Sequence, residues 1–530
     1  MNRRLVSWRV GALAALVVVV VAVVGTGVGE SAFSARTAAS ATTLVDGTTD
    51  TVTNIDPAGE YDYGSATLDY NIFQGLYEYA PGAKLTPTLA TGCKASSNQR
   101  NWTCTLRKGV RFSDGSSFDS SDVKFTFDRV SNPTIVKQAA GNSPSSLFSN
   151  LKSTTTAGPY KVVFHLKTAQ STWPLILTTS PGLIVSKTAY KPNAIQSNTA
   201  PQLGTGPYML AKYTPGQQAV FQANPNYWGS KPKTSNVIVN YYTKSSTMKL
   251  ALQKGEIDMA YINFTPQEYA SLAKAKGIRV YSGNGITIRY LVFNVKRAPV
   301  NNPAVRQAIA YLMPRQAIAT RVYHGLVKPL YSQVPAGLLG HIDAFALKYG
   351  RTPNVAKAKA VLQSAGVATP IPLTIWYTPT HYGDASADEY AEIQRALNAS
   401  GLFNVTLKTE EWAQYVGTLG RTLNAFQLGW YPDYVDAEDY TLPFFASDSF
   451  LAIGYNSPAM NLLITKERTA RTLSARLAAI RGMQLLQAKD VPTIPYWQGK
   501  MLVVGRSNVR GIPLTMDAAV LMRFWLISKS

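Results

Sequence analysis

Apolar positions at three- and four-residue spacing recur along this chain between stretches of strict two-residue alternation, so helices and strands interleave. "SATLDYNIFQGLYEY", Ser65–Tyr79, carries the helical spacing and predicts a helix. "WTCTL" and "YKVVFHL" alternate and predict strands. "SSDV" offers a helix N-cap ahead of "KFTFDRV". "STMKLALQKGEIDMAYI" predicts a short helix stopped at Gly255 and then a strand. In "NNPAVRQAIAYLM", Asn302 is placed to cap and Pro303 to occupy the first turn, and "NVAKAKAVLQSAG" repeats that logic from Asn354. "DASADEYAEIQRALNASG" predicts a further helix, followed by the strand "LFNVTLKTEEW". Helices alternating with strands define the α/β class with mixed sheets. No repeat of fixed period is present.

Length changes the picture first. A chain of 530 residues exceeds what one core serves, so two or three lobes are expected. Lys plus Arg number 52 against 30 Asp plus Glu, a net charge of +22, which favours anionic neighbours. The basic residues are scattered, with no zinc-finger spacing and no basic heptad helix, so nucleic acid is not the expected partner. Association with an anionic membrane surface fits the scatter better. Arg3, Arg4 and Arg9 precede the uncharged run Val10–Val28, and the small residues "SAFSARTAASA" follow. This is the layout of an export signal, and the run is also near the length that spans a bilayer as an uncleaved anchor. Cys93 and Cys104 are the only cysteines; the polar stretch between them reads as a hairpin tip. In an oxidising compartment they can bridge across that hairpin; two free thiols are the alternative.

No catalytic signature appears. The chain has neither a Gly-x-Ser-x-Gly elbow nor His-Glu-x-x-His, and "GTGPYML" at Gly204–Leu210 lacks the lysine of a phosphate loop. None of His165, His324, His341 and His381 lies three or four residues from another, which excludes a helical metal pair. His381 sits in a segment rich in Trp, Tyr and Pro. "GWYPDYVDAEDY", Gly429–Tyr440, gathers four carboxylates among aromatics in an acid-poor chain. Its spacing is not that of a calcium loop, and one turn cannot by itself set the separation that a glycosidase pair requires.

Taken in order, "TTDTVTNIDPAGEYDYGS", "NIFQGLYEY", "WTCTLRKGVRFSDGSSFDSSDVKFTFDRV", "GTGPYML", "FQANPNYWG", "LQKGEIDMAY", "LVFNVKRAPVNNPAVRQAIAYLM" and "GWYPDYVDAEDY" resemble the extracellular solute-binding proteins of ABC importers, in the oligopeptide/dipeptide-binding branch (family 5). The resemblance runs over roughly residues 44–530. It implies a periplasmic-binding-protein-like (type II) fold, two lobes closing about a hinge, with an additional small domain. The expected division is 1–41 for the export signal or anchor, 42–80, 206–288 and 498–530 for lobe I, 81–205 for the small domain and 289–497 for lobe II. Crossings between lobes are expected near "GTGPYML", near "ITIRYLVFNV" and after "YWQGKMLVV".

The same resemblance implies a job: capture of peptides or a related amine-bearing solute outside the cell and delivery to permease subunits driven by ATPases. It implies a monomer with no cofactor, no metal and no catalytic residue. A sugar or other uncharged solute in the same cleft, and a secreted hydrolase on a two-lobed scaffold, are the alternatives. In peptide-binding members the Asp of "GWxxDY" takes the ligand's ammonium, and the matching residue is Asp433, beside Trp430. An ammonium stripped of water needs such an acceptor. Backbone of Gly429–Tyr431 can pair with an extended peptide. Tyr61, Asp62 and Tyr63 are expected on the opposite wall, with Asn263 and His381 as further contacts. Asp436, Glu438 and Asp439 are expected to face solvent or cap the next segment. For a ligand carboxylate the segment before "GW" offers only Gln427 and, further upstream, Arg421, where peptide binders often place a basic side chain. The usual Asp-Pro of the motif is Asp436-Ala437 here.

Overall fold

The computed structural model describes residues 43–530 except 140–142 and 263. The expected export segment and Asn263 therefore lie outside the described residues. Strand β1 (Thr43–Thr48) leads to helix α1 (Tyr63–Ile72), capped by the Asp62 side chain. The helix ends at Ile72, short of the expected Tyr79, and Tyr77–Ala80 is a strand. The backbone is already extended at Phe73, and the Ile72 carbonyl accepts from the Gly206 amide at 2.8 Å instead of from a further helical turn.

A four-stranded antiparallel sheet follows, built from β2 (Ala90–Ala95), β3 (Asn101–Leu106), β4 (Leu151–Thr156) and β5 (Lys161–Leu166) in the order β2-β3-β5-β4. Its inward residues, among them Trp102 and Phe164, form a core of their own with Phe127 of helix α2 (Ser120–Val130) and with Trp173. The cap of α2 is Asp119, one residue before the expected "SSDV", in a reciprocal capping box with Asp122. Cys93 and Cys104 face each other across β2 and β3 and form a disulfide. His165 is a strand residue of β5, as its alternation predicts.

The main sheet has eleven strands. It comprises β6 (Tyr208–Thr214), β7 (Gln218–Ala223), β8 (Asn236–Tyr241), β9 (Met259–Tyr261), β10 (Ile278–Phe293), β11 (Ile371–Tyr377), β12 (Phe403–Thr409), β13 (Ala425–Trp430) and β14 (Thr493–Arg506) with β1, in the order β12-β11-β13-β10-β14-β9-β1-β8-β7-β6; the short strand Val327–Pro329 also pairs with β14. Helices α3 (Ser245–Lys254), α4 (Pro303–Leu312), α5 (Ala385–Ala399) and α6 (Leu473–Asp490) cover it. Gly255 ends α3 in the left-handed region at φ 81°, and the Asn302 side chain accepts from the Ala304 amide to cap α4, both as the spacing predicts.

Two lobes share this sheet, and the long strands β10 and β14 run through both. Ile278–Asn284 pair with Lys500–Arg506 and Ile288–Val292 with Thr493–Gln498, with a register break between. "ITIRYLVFNV" lies on β10 and "YWQGKMLVV" on β14, the two strands paired here. "GTGPYML" leads into β6, with Gly204 and Gly206 packed against Ile72. Among the described residues no helix is long and apolar enough to cross a membrane.

Candidate functional site

The acidic turn lies directly after β13, where the second lobe meets the first. Asp433 is half-buried, and its Oδ2 accepts from the Tyr61 hydroxyl at 2.9 Å, a bond that joins the two walls of the cleft. Beneath it Asp439 is fully buried and holds the turn: its Oδ2 accepts from the Asp433 amide at 3.0 Å and from the Trp430 indole at 3.1 Å. Glu60, also fully buried, lies beside Tyr61 with Oε2 accepting from the Asp62 amide at 3.1 Å. One oxygen each of Glu60 and Asp439 is buried without a hydrogen-bond donor. Among the described residues no Lys, Arg or His forms an ion pair with Asp433, Asp439 or Glu60.

The electrostatic consequence is large. Burial raises the Asp433 carboxyl from 3.8 to about 7 and Glu60 from 4.5 to about 8, the latter also pushed up by its acidic neighbours Asp62 and Asp433. Burial and the charge of Asp433 hold Asp439 well above the carboxylate range. Three carboxyls without a cation define a place where a positive charge is stabilised.

Aromatic walls flank this acidic pole. Tyr63 stacks on Tyr431 at 5.6 Å and meets Tyr261 at 5.9 Å; Tyr61 and Tyr431 keep 37% and 40% of their surface exposed, enough for a solute to reach them. On the far side of Tyr431 stands Arg289 of β10, directly opposite Gly429 in the strand pair. Its guanidinium lies 3.8 Å from the Tyr382 ring centroid and 5.0 Å from that of Trp497. A Cβ at Gly429 would overlap Arg289 Nη1, which is why the position after the apolar strand is glycine.

Asp433, Tyr61, Tyr63, Tyr431, Gly429 and Trp430 thus come together as expected, each with a specific placement. The Gly429 amide is already bound to the Tyr382 hydroxyl at 2.8 Å, so it is not free to pair with a peptide backbone. The Trp430 indole supports Asp439 and its ring packs on Phe444 and Phe450. Asp62 is turned away: it caps α1, accepting from the Ser65 amide at 2.8 Å and from Thr53, because a helix start needs an acceptor there. His381 stacks on Trp412 at 3.7 Å; burial and then the Arg289 charge hold its pKa down at about 4, so it is neutral.

Of the three residues expected to face solvent or cap the next segment, Asp436 accepts from the Glu438 amide at 2.8 Å at the start of the short helix Glu438–Tyr440, while solvent exposure is corrected for the other two. Glu438 and Asp439 are fully buried, and Asp436 is bound by Arg476 of α6 at 3.0 Å. The aromatic residues of the turn draw it inward, Tyr434 packing into the core of the small domain. Gln427 is buried, donating to Glu389 at 3.0 Å, and Arg421 is exposed, so neither faces the cleft. Arg289 is the residue missed; its signal was a lone charge inside the apolar run "ITIRYLVF".

Comparison with known proteins agrees with this architecture. The model of the bacterial extracellular solute-binding proteins, family 5 Middle, matches residues 84–451, and the chain belongs to that family. It is 26% identical over 476 residues to the glutathione-binding protein GsiB of Salmonella paratyphi A, covering 88% of this chain and 90% of that one. It is 27% identical over 442 residues to the probable D,D-dipeptide-binding periplasmic protein DdpA of Escherichia coli K12, covering 79% and 82%. The periplasmic binding protein DppA from Helicobacter pylori, solved with the peptide STSA, superposes with a TM-score of 0.78 at 24% identity over 92% of this chain and 98% of that one, a likeness of fold.

Proposed function

We propose that this chain captures short peptides or closely related amine-bearing solutes outside the cell and delivers them to the permease of an ABC importer. The observation that carries the reading is the uncompensated acidic pole at Asp433, Asp439 and Glu60, roofed by Tyr61 and open beside Tyr431. An ammonium entering there receives charge-assisted hydrogen bonds in a low-dielectric site. GsiB, DdpA and DppA, whose names or bound ligand are peptides, support the choice among amines. The segment Arg3–Val28 serves as export signal or anchor in this reading, and the protein works as a monomer. Titration calorimetry with Met-Leu and with N-acetyl-Met-Leu tests it. Tight binding of the free amine and loss on acetylation are expected; equal binding of both moves the assignment to an uncharged solute.

A further inference from the structure

Strand β1 reads "TLVDGT", and an aspartate stands where a strand paired on both edges ordinarily carries an apolar residue. Asp46 is 2% exposed and shares one face of the sheet with Leu44 and Thr48. In the parallel pairing Asp46 lies beside Val239 and Thr48 beside Tyr241 of β8, and on the other edge Asp46 lies beside Met259 of β9. The first two turns of α1 cover this face with Gly64, Thr67 and Leu68, leaving a hollow at the C-terminal ends of the three strands, where open α/β sheets receive ligands. Two polar groups line it with nothing to bind: Asp46 Oδ1 and the Tyr241 hydroxyl are buried and have no hydrogen-bond partner. Asp50 lines it too, its amide donating to the Thr48 hydroxyl at 3.1 Å. Glycine at position 64 lets that segment approach α1, since a Cβ there would lie 2.0 Å from the Thr51 carbonyl oxygen and 3.2 Å from Asp50 Cγ. None of the residues lining the hollow is a Lys, Arg or His, and among the described residues neither Asp46 nor Asp50 forms an ion pair. Burial holds the Asp46 carboxyl well above the carboxylate range against the opposing Gly47 amide, and burial raises Asp50 from 3.8 to about 6. Buried carboxyl oxygens without a donor also occur at Glu60 and Asp439, which belong to the Asp433 pole, at Glu438, which faces Arg468 Nε at 3.5 Å, and at Asp69 on the buried face of α1. Asp46 differs in sharing a hollow with a second unsatisfied polar group. A water there would supply a donor and leave Asp46 to hold a proton; an ammonium supplies both the donors and the charge.

We propose that this hollow is a second cation pocket of the cleft and takes the side-chain ammonium of a lysine-type residue in the ligand. The inference rests on the amine-binding reading above and adds a second amine, separate from the one at Asp433. Tyr63 stands between the two sites: its ring stacks on Tyr431 at the cleft, its hydroxyl bonds that of Tyr261 at 2.6 Å, and both Tyr63 and Tyr261 line the hollow. Two features favour an ammonium over a guanidinium. An ammonium is a compact charge with three donors, and Asp46 Oδ1, the Tyr241 hydroxyl oxygen and the Asp50 carboxylate offer it acceptors from three separate segments; a guanidinium asks for acceptors in the plane of its fork. Leu68, Val239 and Ile262 give the methylenes of a lysine stem an apolar wall.

The test uses calorimetry on the full chain at pH 8 with Lys-Ala, Ala-Lys and Ala-Lys-Ala, each beside its norleucine and arginine counterparts and its α-N-acetyl derivative. The wild-type chain is expected to bind at least one lysine peptide about 10-fold or more tighter than its norleucine counterpart, which keeps the methylenes and lacks the ammonium, and about threefold or more tighter than its arginine counterpart. Asp46→Asn should erase the lysine preference while α-N-acetylation still costs affinity; Asp433→Asn should weaken lysine and norleucine peptides together and keep their ratio. Tyr241→Phe, which deletes one acceptor, should cut the lysine preference by about threefold or more. The melting temperature of unliganded Asp46→Asn should equal or exceed that of wild type, whereas loss of a merely structural aspartate would lower it. If Asp46→Asn does not fold, the lysine-to-norleucine ratio of Tyr241→Phe decides, and an unchanged ratio there overturns the inference. A wild-type chain that takes lysine and norleucine peptides alike, or a preference that survives in Asp46→Asn, overturns the inference and leaves the amine reading standing. If α-N-acetylation costs nothing while lysine still exceeds norleucine, the reading at Asp433 falls and the pocket stands. If none of these peptides binds, both fall.

Discussion

Asp433 is half-buried beside two carboxyls that no cation neutralises, so its role is testable by charge alone. Removing one partner of a buried, hydrogen-bonded charge pair costs about 2–5 kcal/mol, and Asp433→Asn should weaken an amine ligand by about 30-fold to several-thousand-fold in calorimetry. Asp436→Asn should act on stability instead, because Asp436 ties the turn to Arg476 and accepts from the Glu438 amide. A loss of about 1–3 kcal/mol in thermal melts, with affinity changed less than about threefold, is expected. The pH dependence follows from the same burial. A carboxyl raised from 3.8 to about 7 favours the folded, unliganded chain at low pH and loses that contribution as pH rises toward 7. Ligand binding has the opposite sign: the ammonium binds the ionised carboxylate, so below pH 7 binding must release a proton. Affinity should fall about 100-fold between pH 8 and pH 5; a flat profile would show that Asp433 is already ionised in the empty cleft. At this scale the sequence revealed Asp433 through its motif and the Asn302 cap through local chemistry. It did not reveal that Asp439 and Glu438 are buried, since burial is decided by Tyr434 packing into the distant small domain. Nor did it reveal that Arg289 is buried between Tyr382 and Trp497, which depends on residues about 90 and more than 200 positions away along the chain.

Elements defined by local rules were legible, and those defined by packing were not. Gly255, Asn302 and Asn354 end or start helices where their own backbone and side-chain preferences say they should. The helix expected to run to Tyr79 stops at Ile72, whose carbonyl accepts from the distant Gly206 amide, a contact that no local spacing encodes. The β2–β3 hairpin falls between these cases: alternation and the polar tip predict the strands, and the strand register then places Cys93 opposite Cys104. The disulfide closes a loop of sequence separation 11, for which the chain-entropy relation gives about 3 kcal/mol of stabilisation. The four-stranded domain has its own core, so the effect should be local. Replacing both cysteines by alanine should lower stability by up to about 3 kcal/mol and speed hydrogen exchange in β2, β3 and β5, while leaving affinity within about twofold. Alkylation of the unreduced, denatured protein that labels both thiols would show that the bridge does not form in solution.

For the whole molecule the acidic pole at Asp433, Asp439 and Glu60 matters because the walls of the cleft meet there. Apart from β10 and β14, the walls are joined by Tyr61 to Asp433, by the Tyr79 hydroxyl to the Val435 amide at 2.9 Å, by Thr172 to Glu438, by the Ser171 amide to the Arg468 carbonyl at 3.3 Å, by the Tyr63–Tyr431 stack and by Tyr434 packed into the core of the small domain. Closing them without ligand buries Asp433 and its acidic neighbours with nothing to balance them. Opening returns Asp433 to water; a bound ammonium makes closure favourable instead. If the lobes rotate, the register break of β10 and β14 is the place for the hinge: Gly285 packs there so closely on the partner strand that a Cβ would lie 2.8 Å from the Gly499 carbonyl oxygen. Two continuous strands through that point restrict the lobes to rotation about it. Small-angle scattering should therefore show a smaller radius of gyration on saturation with an amine ligand at pH 8. The same reasoning requires that charge removal alone close the empty protein: unliganded Asp433→Asn at pH 8, and unliganded wild type at pH 5, should both scatter as more compact than unliganded wild type at pH 8. An unchanged radius in all these states would mean that the lobes do not clamp. Compaction with ligand but none with Asp433→Asn would leave the clamp in place and show that ligand contacts, and not relief of the buried carboxylate, drive its closure.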